Sequence, residues 1–155
     1  MKNIKLKISL LATLALVSMG TLVTSCSSSD DNGGPDLPEK GVIDDAIGTY
    51  KGTMRVHDDI AGTDKYEFYD VVMLVTKVDN QHVKVTAKSN EVYSVVAEKV
   101  IKVEGNYNKD ITSVTGDLSG FFWYHSDTKT VDIHANKQAA TEIIYTFEGS
   151  KQGGK

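Results

Sequence analysis

This chain of 155 residues has one cysteine, one arginine, one tryptophan and two prolines. Each scarcity excludes something. A single Cys26 leaves no partner for an intramolecular disulfide and no thiolate cage for a metal. A single Arg55 in a chain of formal charge −4 is poor equipment for gripping phosphates, so a nucleic-acid partner is not expected. Both prolines, Pro35 and Pro38, precede residue 46, so nothing beyond it interrupts a sheet ladder. The later part also has no helical apolar period of convincing length.

The N-terminus supplies what the rest lacks, a basic start and an apolar run. Lys2, Lys5 and Lys7 precede Ile8 to Val23, which is diluted by Ser9, Thr13, Ser18, Gly20 and Thr21. A membrane-spanning helix takes about 20 strongly apolar residues, and this run is shorter and ends on small residues, so it reads as a signal peptide over 1–25. A retained membrane anchor is the competing reading. Without the three lysines, 14 basic side chains stand against 21 acidic ones, a formal −7.

Val23-Thr24-Ser25-Cys26 resembles the bacterial lipobox, in which small residues precede an obligatory cysteine. The resemblance implies cleavage before Cys26 and acylation of its sulfur and its new amine. Each buried methylene contributes about 0.8 kcal/mol, and several acyl chains together hold a protein on a membrane. A free cysteine beside an ordinary cleavage site is the alternative. Ser27-Ser28-Ser29-Asp30-Asp31-Asn32-Gly33-Gly34 then opens a polar, acidic stretch over 26–45, too poor in apolar groups to offset its ordering entropy, and therefore a tether. Its Ser run and paired Asp resemble the export signal of surface lipoproteins of Bacteroidota, implying the outer membrane and the cell surface. A generic linker is the other reading.

From residue 46 to 151 apolar residues recur at spacing two, with Val, Ile, Thr, Tyr and Phe dominant. Tyr50, Gly52, Met54 and Val56 share one face of a strand, and Thr49, Lys51, Thr53, Arg55 and His57 the other. Residues 83–87, 130–134 and 143–148 repeat the pattern, while 66–78 is apolar on both faces, as in a strand covered twice or bent across a closed sheet. Turn signals divide the region into segments near 48–57, 66–78, 82–88, 92–97, 99–107, 111–118, 120–125, 129–135 and 141–149. Gly116 and Gly120 are candidate bulge or bend positions. The expected fold is all-β, an antiparallel up-and-down barrel of about eight strands, of the lipocalin or avidin kind, with a short disordered tail at 152–155. A two-sheet sandwich is the competing arrangement.

Gly48-Thr49-Tyr50-Lys51-Gly52-Thr53, Gly116-Asp117-Leu118 and Tyr145-Thr146-Phe147-Glu148-Gly149-Ser150-Lys151 resemble the calycin-like (lipocalin-like) β-barrel domain of Bacteroidota lipoproteins. The resemblance spans 46–151, and its motifs are structural. It implies a barrel behind a lipobox and supplies no catalytic or binding set.

Chemistry elsewhere is sparse. His125, Asp127, Asp132 and His134 crowd one hairpin, but His125 and His134 differ in sequence parity, so they are not expected to converge on a metal. Asp58, Asp59 and Asp64 match no calcium loop and read as a loop kept soluble by charge. No nucleophile elbow, active-site thiol or phosphate-cradling loop appears, so neither an enzyme nor a cofactor is expected. In Phe121-Phe122-Trp123-Tyr124 one alternate pair should be core and the other should lie outside beside Tyr69 or Tyr145, either covered by flanking strands or the tether or left as a partner or glycan surface. Tyr50, Trp123 and Tyr145 are the candidate ligand contacts. Two functions follow: a surface lipoprotein holding a small apolar or glycan-like ligand in the barrel mouth, or a filled barrel joining an envelope complex by its outer face.

Overall fold

A computed structural model of the protein describes residues 39–57 and 64–153. Eight strands, β1 (Gly48–His57), β2 (Asp64–Lys77), β3 (His82–Ala87), β4 (Lys99–Gly105), β5 (Ile111–Ser113), β6 (Gly120–His125), β7 (Thr130–Ala135) and β8 (Tyr145–Lys151), pair in chain order into a closed antiparallel barrel. The up-and-down barrel, of calycin-like topology, replaces the sandwich alternative. Its last seam joins β1 to β8, with Tyr50 opposite Lys151, Gly52 opposite Gly149 and Val56 opposite Tyr145. The first and last of the motif segments singled out in the sequence are thus hydrogen-bonded neighbours, and no sheet edge is left open.

Alternation decides which side chains fill the barrel. Tyr50, Met54 and Val56 of β1, Val83, Val85 and Ala87 of β3, and Val131, Ile133 and Ala135 of β7 are buried. In β6 the inward pair is Phe122 and Tyr124, which leaves Phe121 and Trp123 outside. The double-faced apolar run at 66–78 is one 14-residue strand, β2. Between the pairs Gly52–Val71 and Met54–Phe68 the register shifts, and Asp70 there takes a left-handed φ of 56°. That bulge puts Phe68 and Val71 both toward the core side and leaves Tyr66 and Tyr69 exposed.

Three strand expectations are corrected. Residues 92–97 form turns, because Ser94 N–H and its hydroxyl both donate to Glu91 O and Val96 N–H donates to Tyr93 O. The buried residues there, Tyr93 and Val96, are three apart, a turn spacing rather than a strand spacing. The 111–118 segment is a strand only at Ile111–Ser113, since Asp117 then accepts from Ser119 N–H and Lys102 N–H and turns the chain. The final strand runs later than 141–149, to Lys151, and Gln152 N–H still donates to Thr49 O at 2.8 Å.

The two ends of the barrel differ. One end carries the β2–β3, β4–β5 and β6–β7 connections and is plugged by a 3-10 turn, Ile43–Ala46, whose Ile43 and Ala46 are buried. Tyr50 Oη–H donates to Ala46 O at 2.7 Å, and Gly41 N–H donates to Asn106 O. Residues 41–45, placed by composition in the tether, are therefore part of the folded body. Gly105 makes this possible, because a Cβ there would lie 1.9 Å from Gly41 O. The opposite end, carrying the β3–β4, β5–β6 and β7–β8 connections, is the mouth.

Candidate functional site

Among the described residues the inward positions carry a buried charge at the mouth end alone. The plugged end holds Tyr50 and Tyr124, with rings 6.5 Å apart at 78°, above a middle layer that includes Met54, Met73, Phe122 and Phe147. At the mouth the inward positions include Ala87, Gly120 and Ala135, together with Lys99 and Tyr145. Lys99 lies on β4 and Tyr145 on β8, which are four strands apart in the closed order, on opposite walls.

Lys99 is the buried charged side chain among the described residues, at 1% exposure. Its Nζ donates to Glu142 Oε2 at 2.5 Å and to Gln138 Oε1 at 3.3 Å, both from the β7–β8 loop. Glu142 Oε2 also accepts from Gln138 N–H at 2.7 Å and Ala139 N–H at 3.3 Å. The Lys99 ammonium, followed by these backbone donors, holds the Glu142 carboxyl below its ordinary range. Gln138 Nε2–H donates to Ser119 Oγ, which ties the same loop to the β5–β6 connection. The Lys99 side chain therefore bars the mouth and fastens its cover.

Tyr145 is fully buried, and its hydroxyl has no hydrogen-bond partner among the described residues. Burial pushes its pKa up, so the group stays a neutral O–H with a donor to give.

The three sequence candidates do not form one site. Tyr50 and Tyr145 are both interior, but their partners Lys151 and Val56 lie far apart on the β1–β8 seam. Six residues at about 3.3 Å each separate them by roughly 20 Å, so Tyr50 belongs to the plug and Tyr145 to the mouth. Trp123 is outside the barrel and 37% exposed. Nor does Tyr145 adjoin the outer aromatics, as it points inward. Cys26 lies outside the described residues, as do Asp58 and Asp59.

Lys99 was legible but unmarked. It shares parity with Ile101 and Val103, whereas a lysine between Glu98 and Val100 reads locally as a solvated charge.

The outer face of β6 and β7 carries an aromatic ladder. Trp123 stacks on His125 with centroids 4.5 Å apart at 26°, and Phe121 meets Trp123 at 6.2 Å and His134 at 5.6 Å, both edge to face. The hairpin register pairs Phe121 with His134, Trp123 with Asp132 and His125 with Thr130. Odd residues of β6 thus share a face with even residues of β7, so His125 lies on the same face as Asp132 and His134, and the argument from their differing parity fails. His125 Nε2 lies 2.8 Å from Asp132 Oδ2. Trp123 Nε1–H donates to Asp110 Oδ2 at 3.4 Å. Burial alone would raise the pKa of Asp110, but donors from Ser126, Trp123 and Asn106 together hold it low. Among the described residues no group of three or more His, Cys, Asp or Glu side chains is placed to hold a metal ion.

No family model, curated protein or solved structure matches this chain.

Proposed function

We propose that this protein is a lipid-anchored lipoprotein of the calycin-like kind found in Bacteroidota, carried on the outer membrane by Cys26 and exposed at the cell surface, and that its barrel mouth binds a small molecule. One observation carries the binding reading: an otherwise apolar interior holds at its mouth end a buried ammonium, Lys99, and a hydroxyl, Tyr145, that has no partner among the described residues. A barrel built only for stability would be better filled there with apolar side chains, because a buried ion pair recovers its desolvation cost with difficulty. Small-molecule sites are apolar walls with a few convergent polar groups. The role is binding rather than catalysis. The lipobox and the acidic stretch after it support the anchor.

Native mass spectrometry of the protein extracted from its own membrane tests the binding. A retained small molecule, lost in Lys99→Met, is expected; an unliganded mass from every extraction overturns it. Cys26→Ser is expected to release the protein to the soluble fraction, and protease added to whole cells to digest the barrel. Retention of the variant on the membrane, or protection of the barrel, overturns the anchor or the surface location respectively.

The exposed ladder of Phe121, Trp123 and His125 favours a second reading, contact with an envelope protein through the outer face. Here Trp123→Ala should release a co-purifying protein and leave any retained small molecule in place.

A further inference from the structure

The polar groups of the mouth have a definite sign. Lys99 brings three N–H donors and no acceptor, and Tyr145 brings an unused O–H donor. Both acceptors of Lys99, the Glu142 carboxylate and the Gln138 amide oxygen, come from the covering loop and none from the barrel wall. If that loop moves aside, the polar side chains that the described residues leave buried there, Lys99 and Tyr145, are donors, one of them charged, against Ala87, Ala135 and Val56. Such a surface cannot satisfy a ligand that must donate. It suits an anion that accepts at every lone pair. The chain already places one there: Glu142 is a carboxylate on a short apolar stem, seated on Lys99 from the loop side. Below it Met54, Met73, Phe122 and Phe147 fill the barrel, so a body that takes the place of the Glu142 stem can only be short.

Resting on the mouth-binding reading above, we propose that the ligand is a small carboxylic acid with a short apolar body, whose carboxylate replaces that of Glu142 on Lys99 and accepts the Tyr145 hydroxyl. No bond is made or broken in the exchange. The β7–β8 loop, residues 136–144, is the cover that the ligand displaces. Glu142 is an internal competitor, which lowers apparent affinity by the fraction of time it occupies the lysine.

The test uses isotope-labelled barrel protein and two probes of equal chain length, hexanoate and 1-hexanol, followed by the amide shifts of residues 136–145 and Lys99. Hexanoate is expected to bind at the mouth about tenfold tighter than hexanol. Glu142→Gln removes the competing charge and should tighten hexanoate by about tenfold or more while leaving hexanol unchanged. Lys99→Met should abolish the preference for acid over alcohol. Because that variant also loses the loop contact, Tyr145→Phe serves as the second probe and should weaken hexanoate selectively. Equal binding of acid and alcohol, both at the mouth, overturns the carboxylate and leaves the mouth reading standing. Silence of the mouth amides toward both probes, in wild type and in a folded Glu142→Gln variant, overturns both.

Discussion

The Lys99 ammonium of β4 is held 2.5 Å from Glu142 of the β7–β8 loop, so that the pair ties one wall of the barrel to the loop that leads into β8. The two partners are not equivalent. Glu142 is reachable by water, whereas Lys99 is not. Removing the carboxylate strands a buried cation, while removing the lysine frees an anion that water can solvate. Glu142→Ala is therefore expected to lower the urea midpoint markedly, and Lys99→Met to leave it unchanged or raise it. Equal losses in both variants would show that the pair acts as a simple bond.

The two interior tyrosines should respond oppositely to loss of their hydroxyls. Tyr50→Phe deletes the donor to Ala46 O and leaves a carbonyl unsatisfied in the plug, a cost of about 1–2 kcal/mol. Tyr145→Phe removes a hydroxyl that has no partner among the described residues and is expected to be neutral or to stabilise by about 1 kcal/mol. Each kcal/mol moves the midpoint of a domain this size by roughly 4–8 °C, within reach of a thermal melt. A large loss in Tyr145→Phe would mean that the hydroxyl has a partner in solution.

Acid should loosen the mouth. Glu142, Asp110 and Asp117 are all held below the ordinary carboxylate range. Groups depressed on folding contribute stability that is complete above the unfolded value and is lost as pH falls through the folded one. Urea midpoints should be flat near neutrality and fall below the ordinary carboxylate range. Hydrogen exchange at 137–144 should quicken there too, as the Lys99 to Glu142 contact is discharged. Stability that rose on acidification would contradict this.

Neighbouring aromatics of β6 should differ sharply. Phe122 is fully buried, and Phe122→Ala is expected to cost about 3–5 kcal/mol. Trp123 lies on the outer face, and Trp123→Ala should cost less than about 1.5 kcal/mol. Chemical denaturation of the two variants checks the facing of the strand.

The seating of the plug can be probed at Gly105. An added Cβ would meet the Gly41 carbonyl, a backbone group that cannot swing aside. Gly105→Ala should cost about 1–3 kcal/mol and raise exchange at residues 41–46 first.

How much of this was legible in the sequence varies by element. Period-two alternation in β1, β3 and β7 assigned their inner faces, because each strand has one buried face and one wet one. Alternation could pair Phe122 with Tyr124 but could not say which pair was core, since both were aromatic. The turn at 92–97 was misread because Val92, Tyr93, Val95 and Val96 have high β-propensity, while Ser94 bonding back to Glu91 decided the backbone. Convergence of His125 with Asp132 depended on the hairpin register, which no single strand reveals. The mouth depends on loop contacts from residues 39 and 43 positions away along the chain, and no local pattern carries those.

The β1–β8 seam has a practical corollary. It brings the first and last strands together so that the chain enters and leaves at the plugged rim, where Lys151 Nζ donates to Asp45 O and Gln152 to Thr49. Cargo, labels or a solid support joined at residue 39 or residue 153 would therefore start from the plugged end of the barrel. Joining residue 153 to residue 40 would take a linker that crosses the plugged rim, because Gly41 is bonded to Asn106 of the β4–β5 connection and Gln152 to Thr49 of β1.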